Sequence, residues 1–263
     1  MGGRRSTVTT TGTNHCHHII HRRCSVSLQN KERKMQEERK NEGAPQDAEP
    51  KWNRDEAERF LKTLHADGNT FEIRVLGIQM SGWKEKANWS GFFRDAKVAT
   101  NALDELWKEG EGGHAYLTVN PVYNGLHDRA PDKFRLSKTA AKDEDIARRN
   151  WIYIDFDPTR PTGVSATSEE KAKAWEVCGD AMTWLSSQGW PEPIVVDSGN
   201  GYHLYYRCDL EAKDDLHREV LGVLGDKYGL KTRDDPVDVD QSDHNASRLA
   251  KIPGVVSRKD SSA

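Results

Sequence analysis

Apolar residues recur with two different periods along this chain. Some segments have the period of a helix and others have the period of a strand, and the two kinds follow one another along the sequence. Apolar side chains recur at helical spacing in four segments, which predicts helices over residues 53–64, 95–109, 168–188 and 214–228. Short alternating or continuously apolar runs predict strands over residues 71–77, 114–120, 151–157, 193–197, 202–210 and 237–240. Residues 82–91 carry two tryptophans among polar residues, and we interpret them as a loop. The mixture predicts an α/β (α+β) fold.

Both ends of the chain lack these periods. Residues 1–50 are polar, with basic and Gly/Pro-containing stretches, and this composition predicts a disordered tail. A His/Cys cluster within residues 15–24 has no second spaced ligand pair, so we interpret it as a histidine-rich tail rather than a zinc site. We also expect the natural protein to begin at Met35. The ordered domain is expected to span residues 53–259, and residues 260–263 are expected to be a C-terminal end produced by truncation.

Composition and charge narrow the setting of this domain. No apolar run approaches the roughly 20 residues of a membrane span, and the basic N-terminus lacks the apolar core of a signal peptide. The four cysteines form no CxxC pair, which is typical of a reducing compartment, so we expect a cytoplasmic protein without a membrane partner. Residues 1–40 hold nine Lys/Arg and three Glu, a net of +6, so the remainder carries −9. An acidic body does not indicate nucleic-acid binding, although it leaves room for a local basic groove.

The strand predicted at 151–157 ends in two aspartates separated by one phenylalanine. Side chains alternate along a strand, so Asp155 and Asp157 are expected on the same face. Two neighbouring carboxylates repel each other unless a cation lies between them, and Mg²⁺ or Mn²⁺ prefers such oxygen ligands. The pair therefore indicates a metal site. The alternative interpretation is an acidic strand end that faces water.

A glycine-rich turn follows the strand at 193–197 and leads into His203. Small residues let backbone N–H groups approach an anion closely, so Ser198, Gly199 and Asn200 are candidates to hold phosphate oxygens. His203 is a candidate donor to the same ligand. The alternative is an ordinary hairpin turn with a surface histidine.

A third cluster lies near the C-terminus, where Asp238 and Asp240 precede Arg248 and Lys259. A third carboxylate would complete a two-metal site, and the basic residues would receive a triphosphate or a nucleic-acid backbone. The alternative is a charged hairpin at a domain edge. Together, the three clusters indicate nucleotidyl transfer, in which one metal lowers the pKa of an attacking hydroxyl and the other stabilises the leaving pyrophosphate.

These motifs and their order resemble those of the archaeo-eukaryotic primase superfamily, in particular those of the primase–polymerase domains of phages, plasmids and other mobile elements. The resemblance rests on Ile-Asp-Phe-Asp (154–157), Asp-Ser-Gly-Asn-Gly-Tyr-His-Leu (197–204) and a Val-Asp within residues 237–240 followed by Asn-Ala-Ser-Arg-Leu-Ala-Lys-Ile-Pro-Gly (245–254). It covers about residues 53–259. The resemblance implies an RRM-like catalytic sheet flanked by helices, with a second small α/β unit from the N-terminal half. It also implies template-directed synthesis of primers.

The resemblance assigns roles to individual residues of this sequence. Those it marks as metal ligands are Asp155, Asp157 and Asp240, with Asp238 as the alternative to Asp240. Those it marks for nucleotide or template binding are His203 with Ser198, Gly199 and Asn200, and further along the chain Arg248 and Lys259. Asp243 stands where the family has an apolar residue, so the register of the third motif stays open.

The ligands and partners implied are two Mg²⁺ or Mn²⁺ ions, nucleoside triphosphates, a single-stranded DNA template and a replicative helicase, fused or separate. Two other functions fit parts of the pattern. A DxD-dependent glycosyltransferase also binds a metal through paired aspartates, and a non-catalytic relative would bind nucleic acid alone.

Overall fold

A computed structural model of the chain describes residues 52–65, 68–137, 140–161, 163–229 and 237–255. The tail predicted over residues 1–50, the start expected at Met35, Lys259 and the end at residues 260–263 lie outside these ranges and stay predictions. Within the ranges, no helix combines the length and apolar character that a membrane crossing requires.

The described residues form two antiparallel sheets. The strands, in chain order, are β1 (Phe71–Met80), β2 (Ala87–Phe93), β3 (Gly110–Thr118), β4 (Arg135–Leu136), β5 (Arg149–Pro158), β6 (Ile194–Asp197), β7 (Tyr202–Leu210), β8 (Val237–Val239) and β9 (Leu249–Lys251). The first sheet has the order β4-β2-β1-β3-β9 and is called the N-terminal sheet below. The second has the order β6-β7-β5-β8 and is called the C-terminal sheet.

Helices connect the strands, and their ends follow from local sequence. The helices are α1 (Arg54–Leu64), α2 (Ala96–Glu109), α3 (Ser168–Ser187) and α4 (Leu216–Tyr228), and short 3₁₀ turns lie at Asn124–Arg129, Asp143–Asp145 and Gln241–His244. The side chain of Asn53 accepts a hydrogen bond from the backbone N–H of Glu56 and caps α1. Thr167 and Glu170 cap α3 reciprocally. The predicted α/β (α+β) class is confirmed.

The loop predicted over residues 82–91 is wrong for its second half, which begins strand β2. Trp89 pairs with Val75 of β1 on one side and with Leu136 of β4 on the other. Polar residues interrupt the alternation of this segment, so its strand conformation comes from pairing with distant segments. β9 was not predicted either, because it is only three residues long and its strand conformation also depends on a distant partner, β3.

The alternation of β5 places the candidate site. Ile152, Ile154 and Phe156 face a core formed with α3 and α4. Trp151 and Tyr153 face the opposite way, into a core shared with the N-terminal sheet and its helices. Asp155 and Asp157 continue this second row, because side chains of a strand point alternately to its two faces. The carboxylates therefore stand where the core between the two sheets ends.

The segment after α4 connects both sheets. β8 pairs with β5 in the C-terminal sheet, and β9 pairs with β3 in the N-terminal sheet. Buried Asn120 makes a second connection, since its Oδ1 accepts hydrogen bonds from the backbone N–H groups of Asn150 (2.8 Å) and Trp151 (3.0 Å). The third motif is consequently held between the sheets.

Candidate functional site

Asp155 lies opposite His203 in the β5–β7 pair, and its carboxylate is largely shielded from solvent. The side chain of Asp155 is 21% exposed, and its Oδ1 lies 3.5 Å from Nε2 of His203. This oxygen is buried and accepts no hydrogen bond. Burial raises the pKa of Asp155 to about 7, and the charges of Asp157 and Asp240 act in the same direction, against Arg248 and Lys251. A bound cation would favour the ionised form.

Asp157 is more open and has a different partner. Its Oδ2 lies 2.9 Å from Nη1 of Arg160, whose side chain is almost fully buried. Asp238 lies directly opposite Asp157 in the β5–β8 pair, so both occupy the same face of the C-terminal sheet. The structure therefore brings the alternative third ligand next to one member of the pair.

Asp240 stands beside Asp155 and begins a 3₁₀ turn. Its backbone N–H donates to the carbonyl oxygen of Asp155 over 3.4 Å. Its Oδ1 accepts from the backbone N–H (2.9 Å) and the hydroxyl (2.6 Å) of Ser242. Burial raises the pKa of Asp240, but these hydrogen bonds and Arg248 outweigh it, so the net shift is downward. An ionised Asp240 beside Asp155 fits a cation-binding role.

Arg248 is bound by Asp243, the residue that departs from the family pattern. The carboxyl group of Asp243 is fully buried and forms an ion pair with Nη2 of Arg248, which also lies 4.0 Å from Oδ2 of Asp240. Burial raises the pKa of Asp243 to about 8, although Arg248 opposes the shift. Arg248 is thus fixed beside the candidate metal ligands, and its Nε–H has no hydrogen-bond partner.

The predicted phosphate turn is closed by its own hydrogen bonds. The backbone N–H of Gly199 donates to Asp197, and that of Gly201 donates to the hydroxyl of Ser198. Asn200 is buried and accepts from the backbone N–H of Ala166, ahead of α3. A Cβ on Gly201 would come within 2.1 Å of the carbonyl oxygen of Phe156, so this close approach to β5 requires glycine. The backbone N–H of Ser198 donates to the carbonyl oxygen of Gly201, so the N–H groups of Ser198 and Gly199, both expected to hold phosphate, stabilise the turn instead.

His203 is buried and has its imidazole between Asp155 and Tyr205. Its Nδ1 lies 3.4 Å from the hydroxyl of Tyr205. Burial lowers the pKa of His203 to about 3, and the charges of Lys251 and Arg248 act in the same direction. The ring is neutral near pH 7. It can donate one hydrogen bond to a ligand oxygen.

A pocket of about 410 Å³ adjoins His203 and the turn. Its lining includes Lys251 of β9 and Lys171 of α3. Nζ of Lys171 lies 2.7 Å from Oδ2 of Asp197, and Nζ of Lys251 lies 3.5 Å from the carbonyl oxygen of Ser198. The carboxylates of Glu56 and Asp197 line the same pocket, so the groups that an anionic ligand such as a triphosphate would use there are the two lysines and the neutral imidazole. The prediction did not include Lys171, whose position depends on the packing of α3 against the turn.

Within the described ranges, no three His, Cys, Asp or Glu side chains converge tightly enough to form a ready-made metal site. The carboxylates of Asp155, Asp157 and Asp240 instead take different neighbours: His203, Arg160 and Ser242. This divergence is expected for like charges on one sheet face without a cation. The donor set still fits Mg²⁺ or Mn²⁺, since it consists of carboxylate oxygens and includes the unpartnered Oδ1 of Asp155.

The comparisons with known proteins add nothing to this geometry. No protein-family model, no curated protein and no solved structure matches the chain. The resemblance to primase–polymerases therefore rests on the three sequence motifs. The structure brings Asp155, Asp157, His203, Asp240 and Arg248 to one region, while Lys259 lies outside the described residues.

Proposed function

We propose that this chain is a primase–polymerase that joins nucleotides on a DNA template. The observation that carries the proposal is the convergence of three sequence motifs at one end of the C-terminal sheet. Asp155 and His203 are cross-strand neighbours there, and Asp240 donates its backbone N–H to Asp155. A glycosyltransferase would need the aspartate pair but gives no role to His203 or to the third motif.

In the proposed reaction, a 3′-hydroxyl attacks the α-phosphorus of a nucleoside triphosphate and pyrophosphate leaves. Asp155, Asp157 and Asp240 would hold two Mg²⁺ or Mn²⁺ ions, which supply activation of the hydroxyl and stabilisation of the leaving group. Asp238 remains the alternative third ligand. A cation bound through Oδ2 of Asp157 would compete with Arg160, and the attraction of a divalent ion favours that exchange.

The side chains around the pocket would bind the nucleotide. His203 is neutral and donates from Nε2 to a phosphate oxygen, while Lys171 and Lys251 balance the charge of the triphosphate. Ser198 and Asn200 act mainly by shaping the turn, since their side chains hold Gly201 and Ala166. Arg248, fixed by Asp243, would contact phosphate near the metals.

The proposed fold assignment follows the function. We propose that the C-terminal sheet with α3 and α4 is the RRM-like catalytic unit, and that the N-terminal sheet with α1 and α2 is the second small unit. A replicative helicase, fused or separate, is the proposed partner for opening the template.

An incorporation assay tests the proposal against its rivals. The purified chain is incubated with Mn²⁺ or Mg²⁺, a single-stranded DNA template and labelled nucleotides, with ribo- and deoxynucleotides in separate reactions. Template-dependent products on a denaturing gel are expected. Turnover of a nucleotide-sugar in parallel reactions would favour a glycosyltransferase, and strand binding without incorporation would favour a non-catalytic relative.

A further inference from the structure

A second concavity is bordered by Leu249 at the start of β9, whereas Lys251 at the end of β9 borders the nucleotide pocket. The second concavity measures about 380 Å³ and is bordered by Arg74 and Leu76 of β1, Tyr116 of β3, and the segment 245–249. We call it the β1–β3 groove. Arg74 and Tyr116 are register partners, so their side chains share the face of the N-terminal sheet that lies opposite its helices.

Two arginines border this groove, and a fully buried acid holds each of them. Glu72 pairs with Nη2 of Arg74 at 2.7 Å, and Asp243 pairs with Nη2 of Arg248. The side chain of Arg74 is 16% exposed and that of Arg248 is 30% exposed, although Nε is buried in both. The groove therefore has two oriented guanidinium groups at its border, and a phosphate is the ligand whose charge matches them.

An aromatic side chain borders the same groove as these cations. Tyr116 is partly exposed at the groove, and burial of its hydroxyl raises its pKa, so it stays a neutral phenol. Leu76 and Leu249 add apolar surface on either side. An aromatic ring with neighbouring arginines is the usual combination for holding one base and its phosphate in a single strand.

The position of the groove agrees with the needs of templated synthesis. Arg248 borders the groove, and its guanidinium lies 4.0 Å from the candidate metal ligand Asp240. Lys251, two residues from Leu249 on the same short strand, borders the nucleotide pocket instead. The two concavities thus lie along one short strand, and a templated reaction needs two ligands, a nucleotide and a strand.

We propose that the β1–β3 groove binds single-stranded DNA, with a base on Tyr116 and a phosphate between Arg74 and Arg248. This assignment rests on the proposed function for the identity of the strand. A groove of this volume takes about one nucleotide, since it lies near the small end of the roughly 300–1,000 Å³ range of ligand sites. Neighbouring nucleotides would extend over the surface on either side.

A binding assay tests the groove without any catalytic step. Fluorescence anisotropy measures the binding of a fluorescein-labelled 15-mer of thymidylate to the full chain, with EDTA present. Tyr116→Leu is expected to weaken binding about tenfold, because it removes one stacked base. Tyr123→Leu is the matched control, since Tyr123 is an exposed tyrosine outside the groove. Its affinity should equal that of the wild type.

A second groove variant and its control keep the test valid if Tyr116→Leu does not fold. Leu76→Glu places a negative charge at the groove and should weaken binding at low salt, with the difference shrinking as salt rises. Leu136→Glu adds the same charge at exposed β4 of the same sheet and should change little. Wild-type affinity of both Tyr116→Leu and Leu76→Glu, with circular dichroism unchanged, would overturn the proposal. So would binding of a 15-mer of uridylate but not of thymidylate.

The outcomes separate this inference from the proposed function. If the wild type binds the strand through Tyr116 and Leu76 but incorporates no nucleotide, the groove assignment stands and the polymerase proposal fails. If the wild type incorporates nucleotides and both groove variants do so equally at limiting template, the groove assignment fails and the polymerase proposal stands.

Discussion

Buried side chains of this protein show how position decides protonation. His217 of α4 is buried against β5. Its Nε2 donates to the carbonyl oxygen of Tyr153 over 2.6 Å, and its Nδ1 lies 3.3 Å from Nη1 of Arg149. The hydrogen bond to Tyr153 raises the pKa, but burial outweighs it and lowers the pKa of His217 from 6.5 to about 4. The imidazole is therefore neutral in the folded chain near pH 7.

This pKa predicts acid sensitivity. As pH falls, His217 is protonated in the unfolded chain before it is protonated in the folded chain. Its contribution to the free energy of unfolding is therefore fully present above about pH 6.5 and is lost as the pH falls to about 4. Urea unfolding across this range should show a loss on the order of 3 kcal/mol from this group in the wild type. His217→Gln should remove that part of the pH dependence. An unchanged pH dependence in the variant would contradict the assignment.

Two residues, Asp238 and Asp240, are candidates for the third metal ligand. Asp240 adjoins Asp155 through a backbone hydrogen bond, and Asp238 faces Asp157 across the strand pair. We expect Asp240→Asn to reduce nucleotide incorporation about a hundredfold or more, since it removes a metal ligand, and Asp238→Asn to reduce it less than tenfold. Initial rates at saturating Mn²⁺ measure both. The reverse order would transfer the role to Asp238.

At the scale of elements, helices were easier to predict than strand pairing. α3 was expected over residues 168–188 and spans Ser168–Ser187, because its cap and apolar stripe are local. β2 and β9 depend on distant partners, and their sequences alone lack a clear period.

The candidate site could be predicted from the sequence only in part, for the same reason. Alternation correctly placed Asp155 and Asp157 on one face, but the pairing of Asp243 with Arg248 depends on burial that only the folded chain has.

Asn120 tests how the two sheets are joined. Its Oδ1 accepts two backbone N–H groups at the start of β5, and both would lose their partner in Asn120→Ala. A loss of about 2–4 kcal/mol in the free energy of unfolding is expected, because unsatisfied buried donors cost about 1–3 kcal/mol each. Urea denaturation measures it.

Asn88→Ala is the matched control for this measurement. Oδ1 of Asn88 accepts from the backbone N–H of Gly77 at an exposed position, where water replaces the side chain. Its loss should stay below about 1 kcal/mol. Equal losses for the two variants would show that Asn120 is not a special connection.

At the scale of the whole molecule, the described residues from Trp52 to Val255 form one compact unit in which the third motif joins both sheets. The candidate carboxylates lie at the junction, and β9 contributes Lys251 to the nucleotide pocket and Leu249 to the β1–β3 groove. This arrangement supports the proposal that two ligands meet at one metal centre. It also means that a substitution at the junction must be compared with an equivalent one elsewhere on the same sheet.

The most direct measurement is template-dependent incorporation by Asp155→Asn plus Asp157→Asn beside Asp209→Asn. Asp209 is an exposed aspartate of the same sheet, paired with Arg148, so its variant controls for charge and fold. The double variant should lose incorporation by about a thousandfold or more while its unfolding transition stays intact, and Asp209→Asn should keep wild-type rates. Robust synthesis by the folded double variant would contradict the proposed metal centre.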